Sequence, residues 1–314
     1  MNAIEETKMK VAIIGAGAMG SLLGGYLSLG GHDVSLIDVN ADHVAAINKA
    51  GLVIDRTTDA FYAKPKAGRA EEFKEAQDFI VIFTKGAHTE EALVPALHLV
   101  DERTWVLTAQ NGLGNAEIIA RHVSWDRIAI GTISLAATLS GPGHLTLQAG
   151  GDLRIWAANG SHSDAVVRLA KAIDASGLEC KADPKVETAI WEKIAFNAAI
   201  NSLTAVTKYR VGELGDIPAG RTLAELVASE VAQIASARRI DFDLSRVHSL
   251  FDLAFTRHRE HQPSMLRDIL AGRETEIENI NGALVAEAHR LGLQAPVTET
   301  LLLLVRLTER KRHS

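Results

Sequence analysis

The chain has 314 residues, which predicts two domains, and 47% of its residues are hydrophobic while 23% are charged. These values are typical of a folded globular protein and exclude a disordered chain or a collagen-like repeat. The formal net charge of −6, with no dense block of Lys and Arg before the last few residues, argues against a nucleic-acid-binding protein. Cys180 is the single cysteine, which excludes an intrachain disulfide and a cysteine-based zinc cluster.

Two segments of the sequence argue against a secretory signal peptide and against a membrane-spanning helix. Glu5 and Glu6 stand near the N-terminus, where a secretory signal peptide needs positive charge. The uncharged stretch between Arg127 and Asp152 is too polar and too often broken by glycine to cross a bilayer, and we interpret it as strands joined by a Gly-Pro-Gly turn. The sequence therefore predicts a cytoplasmic protein with no membrane partner.

The first half of the chain alternates strand and helix patterns. Short apolar runs predict strands, and the segment from Ala18 to about Leu29 has a helical pattern. The predicted strands are Lys10 to Ile14, Val34 to Ile37, Phe79 to Phe83, Thr104 to Thr108, Ile128 to Thr132 and Leu145 to Trp156. Such alternation indicates an α/β fold with a Rossmann-like, doubly wound parallel sheet.

Helical periodicity dominates the chain from about Asp183 onward, and we find no convincing strand beyond it. Asp183 and Pro184 form a typical helix entry, with the aspartate as cap and the proline at the first helical position. We therefore predict a domain boundary here, with an α/β domain over residues 1–182 and an all-helical domain over residues 183–314.

The first strand is followed by Gly15-Ala16-Gly17-Ala18-Met19-Gly20, which matches the pattern G-x-G-x-x-G and opens a helix. In a dinucleotide-binding turn, Gly15 permits the tight bend, Gly17 lets the backbone approach a pyrophosphate and Gly20 allows the helix to pack closely on the strand. The helix N-terminus supplies N–H groups and a partial positive charge. All six residues are therefore candidate cofactor-binding residues. The alternative is a flexible glycine turn.

Asp38 ends the second predicted strand, some 18 residues beyond Gly20. An acidic residue at this position accepts hydrogen bonds from the ribose hydroxyls of NAD. The 2′-phosphate of NADP would bring a like charge close to it, with a repulsion of about 4 kcal/mol at the upper end. Val39 and Asn40 follow, so no adjacent cation offsets this repulsion. The sequence therefore favours NADH. The alternative is a solvated strand end that contacts no ligand.

Lys193, Asn197 and Asn201 are spaced i, i+4, i+8 and therefore share one face of a predicted helix. Its other faces carry apolar residues that require burial, and an unsatisfied buried amide or amine costs about 1–3 kcal/mol. The three polar side chains must therefore be paired or line a wet cleft. Reduction of a 2-oxo acid leaves an alkoxide, which a lysine with a pKa lowered by burial can protonate as a general acid. The alternative is a surface lysine beside two helix-facing amides.

A second helical cluster lies further along the chain. Thr275 and Glu278 fit a capping box, which predicts a helix start and places Glu276 in the first turn. The spacing alone indicates only that the negative charge of Glu276 stabilises the partial positive charge at the helix N-terminus. His258 and His261 are spaced by three, but no third type of ligand is evident, so we predict no metal site.

Together these segments resemble the ketopantoate reductase family, the 2-dehydropantoate 2-reductases. The resemblance runs from the glycine turn to about Thr308 and depends on the order and spacing of several motifs, each of them modest by itself. The motifs are GAGAMG, Gln110-Asn111-Gly112, Trp191 to Asn201 with Lys193, Ser264-Met265-Leu266, and Thr275-Glu276-Ile277 ending in Ile280-Asn281-Gly282.

The resemblance implies a dinucleotide-binding Rossmann domain, a helical substrate and catalytic domain, and an active site in the cleft between them. It implies NAD(P)H-dependent reduction of ketopantoate to pantoate, a step towards pantothenate, by enzymes that are often dimers through the helical domain. Lys193 matches the catalytic lysine of the family, and Glu276 matches a residue that interacts with the cofactor and orients that lysine. Further residues match cofactor contacts (Lys85, Asn111 and the backbone of Ala137) and substrate contacts (Asn111, Asn197, Asn201 and Ser264).

Two positions depart from the family pattern. Members that use NADPH, the usual cofactor in the family, commonly carry an Arg just past the second strand, where this chain has Asp38 and Val39. An Asn often precedes Gly-Glu-Leu after the lysine helix, where this chain has Val211, which weakens the prediction of ketopantoate over another 2-oxo acid. Two other functions remain open: a dehydrogenase of the 3-hydroxy acid or glycerol-phosphate type, and a non-enzymatic NAD(P)-sensing module.

Overall fold

The computed structural model describes residues 8–56 and 59–310, apart from the side chains of Ala149 and Arg310. Glu5 and Glu6, on which the prediction about secretion depends, lie outside these ranges. The chain forms two compact units. The sheet unit extends to Gln110 and resumes over Asn115–Val186, whereas the helical unit comprises Asn111–Gly114 and the chain from Glu187 onward. Within the described ranges, no helix is both long and apolar enough to cross a membrane.

The sheet unit contains twelve strands among the described residues. They are β1 (Lys10–Ile14), β2 (Asp33–Ile37), β3 (Leu52–Asp55), β4 (Ala60–Ala63), β5 (Lys66–Gly68), β6 (Phe79–Ile82), β7 (Trp105–Thr108), β8 (Ile128–Ile133), β9 (Ala136–Gly141), β10 (His144–Ala149), β11 (Leu153–Ala157) and β12 (Cys180–Ala182). Five α-helices accompany them: α1 (Ala18–Leu29), α2 (Ala41–Ala50), α3 (Thr89–Leu93), α4 (Asn115–Ile119) and α5 (Asp164–Ala175). Short 3-10 helices lie at Ala70–Glu72, Gly86–His88, Val94–Leu99 and Trp125–Arg127.

The larger sheet has eight strands in the order β12-β11-β8-β7-β6-β1-β2-β5. Neighbouring strands run parallel, except that β11 is antiparallel to β8. All four residues of β6 and of β7 are buried, as expected of central parallel strands with both faces covered. The predicted α/β fold class, a Rossmann-like parallel sheet followed by an all-helical region, is confirmed.

A smaller sheet has the order β4-β3-β10-β9. The predicted turn at Gly141-Pro142-Gly143 is confirmed, because it joins the antiparallel strands β9 and β10. The prediction of one strand from Leu145 to Trp156 in the main sheet is wrong. The chain breaks at Gly150 and Gly151, so that β10 pairs in the smaller sheet and β11 in the larger one. Hydrophobic pattern does not reveal which sheet a strand joins, since β10 also pairs with β3, and β11 pairs with β8 and β12, all of them distant in sequence.

The helical unit is built from α6 (Val186–Thr207), α7 (Val211–Asp216), α8 (Pro218–Ala237), α9 (Leu244–Arg257), α10 (Ser264–Ala271), α11 (Ala283–Arg290) and α12 (Pro296–Arg310). A π-helix over Glu278–Gly282 leads directly into α11. Helix α6 begins at Val186, two residues later than predicted. The Asp183 carboxylate nevertheless accepts the N–H of Lys185 at 2.9 Å, which is the contact expected of a helix-capping aspartate. The apolar faces of these helices form one core, to which α6 contributes Trp191, Ile194 and Ile200.

The capping arrangement at Thr275 differs from the prediction. The Thr275 hydroxyl accepts the N–H of Ile277 at 3.2 Å, so Thr275 does cap a helical turn. The Thr275 N–H, however, donates to the carboxylate of Glu309 at 2.8 Å. Glu278 instead forms a two-pronged ion pair with Arg306 at 2.6 and 2.7 Å. The predicted reciprocal partner was therefore wrong, because α12 supplies both a competing carboxylate and a guanidinium that holds Glu278.

Candidate active site

The glycine turn between β1 and α1 has two positions that tolerate only glycine. Gly15 has φ +92°, and a Cβ built on it would lie 2.7 Å from the Thr84 nitrogen. A Cβ on Gly20 would lie 2.0 Å from the Gly15 carbonyl oxygen. The Gly15 N–H donates to the Ile37 carbonyl at 2.8 Å, which ties the turn to the end of β2. The tight bend and the close helix–strand packing that the sequence predicts are therefore present.

Gly17 is different, because a Cβ built on it would meet no atom within 4 Å. Gly17 is also the N-cap of α1, with no side chain capping the helix and no acidic residue in its first turn. The first N–H groups of an α-helix have no intrahelical partner and carry a partial positive charge. Ala16 is buried and Ala18 and Met19 are half-buried, so this turn presents mainly backbone. These residues fit the pyrophosphate of a dinucleotide.

Asp38 lies next to this turn, at the end of β2. Its N–H donates to the Gly68 carbonyl at 3.1 Å, and its Oδ1 accepts the N–H of Asn40 at 2.8 Å. Asn40 in turn caps α2 by accepting the N–H of His43. The half-buried carboxylate is thus held in place by local hydrogen bonds, as a group that accepts ribose hydroxyls must be.

The ends of β6 and β7 carry the other candidate residues of the sheet unit. Lys85 is half-buried and follows Thr84, whose backbone lies against Gly15. Gln110 links the two strand ends, since its Nε2 donates to the Thr84 carbonyl at 2.7 Å while Oε1 accepts the Thr108 hydroxyl at 2.9 Å. Gln110 belongs to the Gln110-Asn111-Gly112 motif, but the sequence by itself indicates no role for its side chain. Ala137 is buried in β9 and belongs to the same core as Ala16.

The polar face of α6 is present in the helical unit. Lys193 and Asn197 are half-buried and Asn201 is buried, while the surrounding positions of the helix are packed in the core. Burial lowers the pKa of Lys193 from its ordinary 10.5 to about 8, and the negative charge of Glu276 opposes this shift. Such an amine is a proton donor at neutral pH that also loses its proton readily.

Glu276 is brought to this face together with Asn111. The Asn111 side-chain amide donates to Glu276 Oε2 at 3.0 Å. The Leu113 N–H donates to the Asn279 carbonyl at 3.0 Å. Gly112 has φ +88°, and a Cβ there would lie 2.1 Å from the same carbonyl oxygen. The 111–114 segment therefore packs against the helical turn that follows Thr275. The hydrogen bond of Asn111 to Glu276, and the effect of the Glu276 charge on Lys193, bring these three side chains into one group.

Ser264 and Val211 are two further positions of the helical unit that the sequence singles out. Ser264 is half-buried and is the first residue of α10. Val211 is only 1% exposed and belongs to the apolar core of the helical unit, so its side chain is a packing group. Among the described residues, no group of three or more His, Cys, Asp or Glu is arranged to hold a metal ion.

Comparison with known proteins agrees with this geometry. The family model described as "Ketopantoate reductase PanE/ApbA" matches residues 11–160, and its C-terminal counterpart matches residues 185–309. The chain belongs to the ketopantoate reductase family. The 2-dehydropantoate 2-reductase of Halobacterium salinarum is 32% identical over 96% of this chain and 99% of its own. That of Pyrococcus horikoshii is 34% identical over 96% of this chain and 98% of its own.

A solved structure of D-mandelate dehydrogenase with NADH and anilino(oxo)acetate is also similar. It superposes with a TM-score of 0.92 at 30% identity, over 98% of this chain and all of the other. As a member of the ketopantoate reductase family, the chain is an NAD(P)-dependent oxidoreductase that binds a nicotinamide cofactor and reduces a small 2-oxo acid.

Proposed function

We propose that the protein reduces ketopantoate to pantoate with NADH, and that Lys193 is the general acid. The observation that carries the proposal is the grouping of Lys193, Glu276 and Asn111 around the polar face of α6, with a lysine pKa of about 8. The curated relatives that cover nearly the whole chain are 2-dehydropantoate 2-reductases, which supports the choice of substrate.

The chemistry divides between cofactor and protein. A bound nicotinamide cofactor supplies the hydride that reduces the carbonyl carbon. Lys193 donates its ammonium proton to the carbonyl oxygen, where negative charge develops. General acid catalysis of this kind contributes about 10²–10⁴ in rate. Because burial already disfavours the charged amine, Lys193 releases its proton more easily than an exposed lysine.

The remaining polar residues orient the substrate and the lysine. Asn197 and Asn201, one and two turns along α6 from Lys193, are suited to bind the substrate carboxylate and hydroxyl, together with Ser264. Asn111 contacts substrate and nicotinamide, and its hydrogen bond fixes the carboxylate of Glu276. Glu276 in turn keeps the amine of Lys193 protonated and directed, since its charge raises the pKa of that lysine.

The proposed cofactor site lies in the α/β domain, which we assign to residues 1–182, and the substrate residues lie in the helical domain from residue 183. Gly15 to Gly20 bind the pyrophosphate, with Lys85 and the backbone of Ala137 as further cofactor contacts. Asp38 accepts the ribose hydroxyls and repels a 2′-phosphate, so NADH is the preferred cofactor. The NADH-bound dehydrogenase of similar structure supports this choice.

A second candidate substrate is a 2-oxo acid with a phenyl group. One of the similar solved structures is a D-mandelate dehydrogenase with NADH and anilino(oxo)acetate. Oxidation of the hydroxyl group of mandelate gives the 2-oxo acid phenylglyoxylate. Val211 also packs in the apolar core at a position where the family often has an amide, so this chain has no hydrogen-bonding group there to distinguish related substrates.

Steady-state kinetics on both acids with both cofactors tests the proposal. We expect the highest kcat/KM with ketopantoate and NADH. A higher value with phenylglyoxylate would move the assignment to the second candidate. The same panel includes 3-hydroxy acids and glycerol phosphate with NAD, which test the alternative dehydrogenase types. If the protein binds NADH but oxidises it with none of the 2-oxo acids, the proposal is wrong.

We also infer a cytoplasmic homodimer formed through the helical domain. Leu250 and Leu253 are exposed one turn apart on α9, and Leu303, Leu304 and Leu307 are exposed within about one turn of α12. Apolar side chains clustered on the exposed face of a helix are typical of an association surface. A chain with one cysteine suits a reducing compartment. Light scattering after size-exclusion chromatography should give twice the chain mass of 33.7 kDa, and a monomer would contradict the inference.

A further inference from the structure

Ser21 and His43 connect the glycine turn to the turn between β9 and β10 by three successive hydrogen bonds. The Gly143 N–H donates to His43 Nδ1 at 2.9 Å, and His43 Nε2 lies 3.1 Å from Ser21 Oγ. Ser21 Oγ then donates to the Ala16 carbonyl oxygen at 2.7 Å. Ser21 is 0% exposed and His43 is 2% exposed, so these contacts are shielded from competing water.

Only one assignment of donors and acceptors satisfies all three hydrogen bonds of this series. A backbone N–H can only donate, so Nδ1 of His43 accepts and the neutral ring carries its proton on Nε2. Ser21 donates its single hydroxyl proton to Ala16, so it accepts the proton of His43 Nε2. Burial lowers the pKa of His43 against the opposing charge of Asp38, which favours the neutral ring that this arrangement requires.

We propose that His43 and Ser21 are positioning residues for the cofactor, which hold the Ala16–Gly17 peptide so that the Gly17 N–H faces the pyrophosphate. The C=O and N–H of a trans peptide point in opposite directions. Holding the Ala16 oxygen on one side therefore directs the Gly17 N–H to the other. The space beside the Gly17 Cα is open, because a Cβ built there would meet no atom within 4 Å. The inference rests on the proposed pyrophosphate site at this turn.

A structural role and a positioning role predict different results. Loss of a buried histidine that serves only stability lowers the melting temperature and leaves the affinity for phosphates unchanged. Loss of a positioning residue selectively weakens ligands that carry the pyrophosphate. ADP-ribose and adenosine, used as competitive inhibitors against NADH, separate the two roles, because only ADP-ribose has a pyrophosphate.

The experiment compares Ser21→Ala, His43→Leu and His43→Gln with the wild type. For Ser21→Ala and His43→Leu we expect the inhibition constant of ADP-ribose and the KM for NADH to rise about tenfold, the effect of losing one well-oriented hydrogen bond. The inhibition constant of adenosine and the KM for the 2-oxo acid should not change. His43→Gln should recover most of the affinity, because an amide offers one acceptor and one donor as the neutral ring does.

His32→Leu is the matched control. His32 is also buried in the sheet unit, but its Nδ1 accepts the N–H of Met9, the residue before β1. We expect this variant to lose stability and to keep the wild-type inhibition constant for ADP-ribose. Ser21→Ala removes a single oxygen atom, so it provides a folded variant even if His43→Leu does not fold.

Two results would overturn the inference: wild-type affinity for ADP-ribose in both Ser21→Ala and His43→Leu, or an equal loss of affinity for ADP-ribose and adenosine. The variant Gly17→Ala shows whether such a result overturns only the positioning role of Ser21 and His43 or also the proposed cofactor site. If Gly17→Ala weakens ADP-ribose while the Ser21 and His43 variants do not, only the positioning role is wrong. If Gly17→Ala also binds ADP-ribose normally, the turn does not bind the pyrophosphate and the proposed cofactor site is wrong.

Discussion

The side-chain amide of Asn111 donates a hydrogen bond to the carboxylate of Glu276 at 3.0 Å, although the two residues are 165 positions apart in the sequence. The same carboxylate raises the pKa of Lys193, which burial lowers to about 8. A change at Asn111 or at Glu276 should therefore affect the protonation of Lys193, the proposed general acid.

Lys193→Ala should lower kcat at least 100-fold, because it removes the proton donor to the developing alkoxide. The dissociation constant for NADH, measured by titration calorimetry, should stay near the wild-type value. Lys208→Ala is the control, since Lys208 is an exposed lysine just past the end of the same helix. Near-normal turnover of Lys193→Ala would show that another group donates the proton.

The rate of reduction should fall as the pH rises through about 8, because Lys193 must be protonated to act and its pKa is about 8. Glu276→Gln removes the charge that raises this pKa, so the fall should move to lower pH. The glutamine can still accept the hydrogen bond from Asn111, which limits the change to electrostatics. The pH profiles of kcat/KM for the two proteins measure the shift, and an unmoved or raised midpoint would contradict the coupling.

Gly15→Ala and Gly17→Ala should have opposite consequences. Alanine at Gly15 is strained at φ +92° and lies too close to Thr84, so the free energy of unfolding should fall by more than about 1 kcal/mol. Alanine at Gly17 enters open space, so stability should be kept while the affinity for NADH falls at least tenfold. Urea unfolding and NADH titration measure the two effects. Tight NADH binding by Gly17→Ala would argue against a phosphate at this turn.

Asp38→Ala should reduce the preference for NADH over NADPH about tenfold, because it removes both a ribose acceptor and the charge that repels a 2′-phosphate. The ratio of kcat/KM for the two cofactors gives the preference. Asp42→Ala, which removes an exposed acid from the first turn of α2, should leave that ratio unchanged. An unchanged ratio in Asp38→Ala would mean that this carboxylate does not face the ribose.

Cys180 should not react with thiol reagents at pH 8 while the protein is folded. Its side chain is buried, and burial raises the pKa of the thiol to about 12, so almost no thiolate forms. One equivalent should react after unfolding in guanidinium chloride. Rapid labelling of the native protein would show that the end of the sheet at β12 opens readily.

The sequence by itself was sufficient for features whose cause is local. The φ of +92° at Gly15 and the contact of Gly20 with the Gly15 carbonyl both arise within a few residues, so the pattern that predicts the turn also predicts its shape. Lys193, Asn197 and Asn201 share a face because helical spacing alone places them there. The strand β1 and helix α1 begin and end where their apolar patterns do.

Tertiary structure decided the features that depend on distant partners. The sequence predicts that the Glu278 carboxylate accepts the N–H of Thr275. In the structure that carboxylate pairs with Arg306 of α12, and the N–H of Thr275 donates to Glu309 of the same helix. The series from Gly143 through His43 to Ser21 joins residues up to 100 positions apart, and no periodicity reveals it. A hydrogen bond depends on the distance and angle between donor and acceptor and not on their separation along the sequence. Residues that are remote along the chain meet only after the sheets and helices have packed, and for that reason local pattern was not enough to find these contacts.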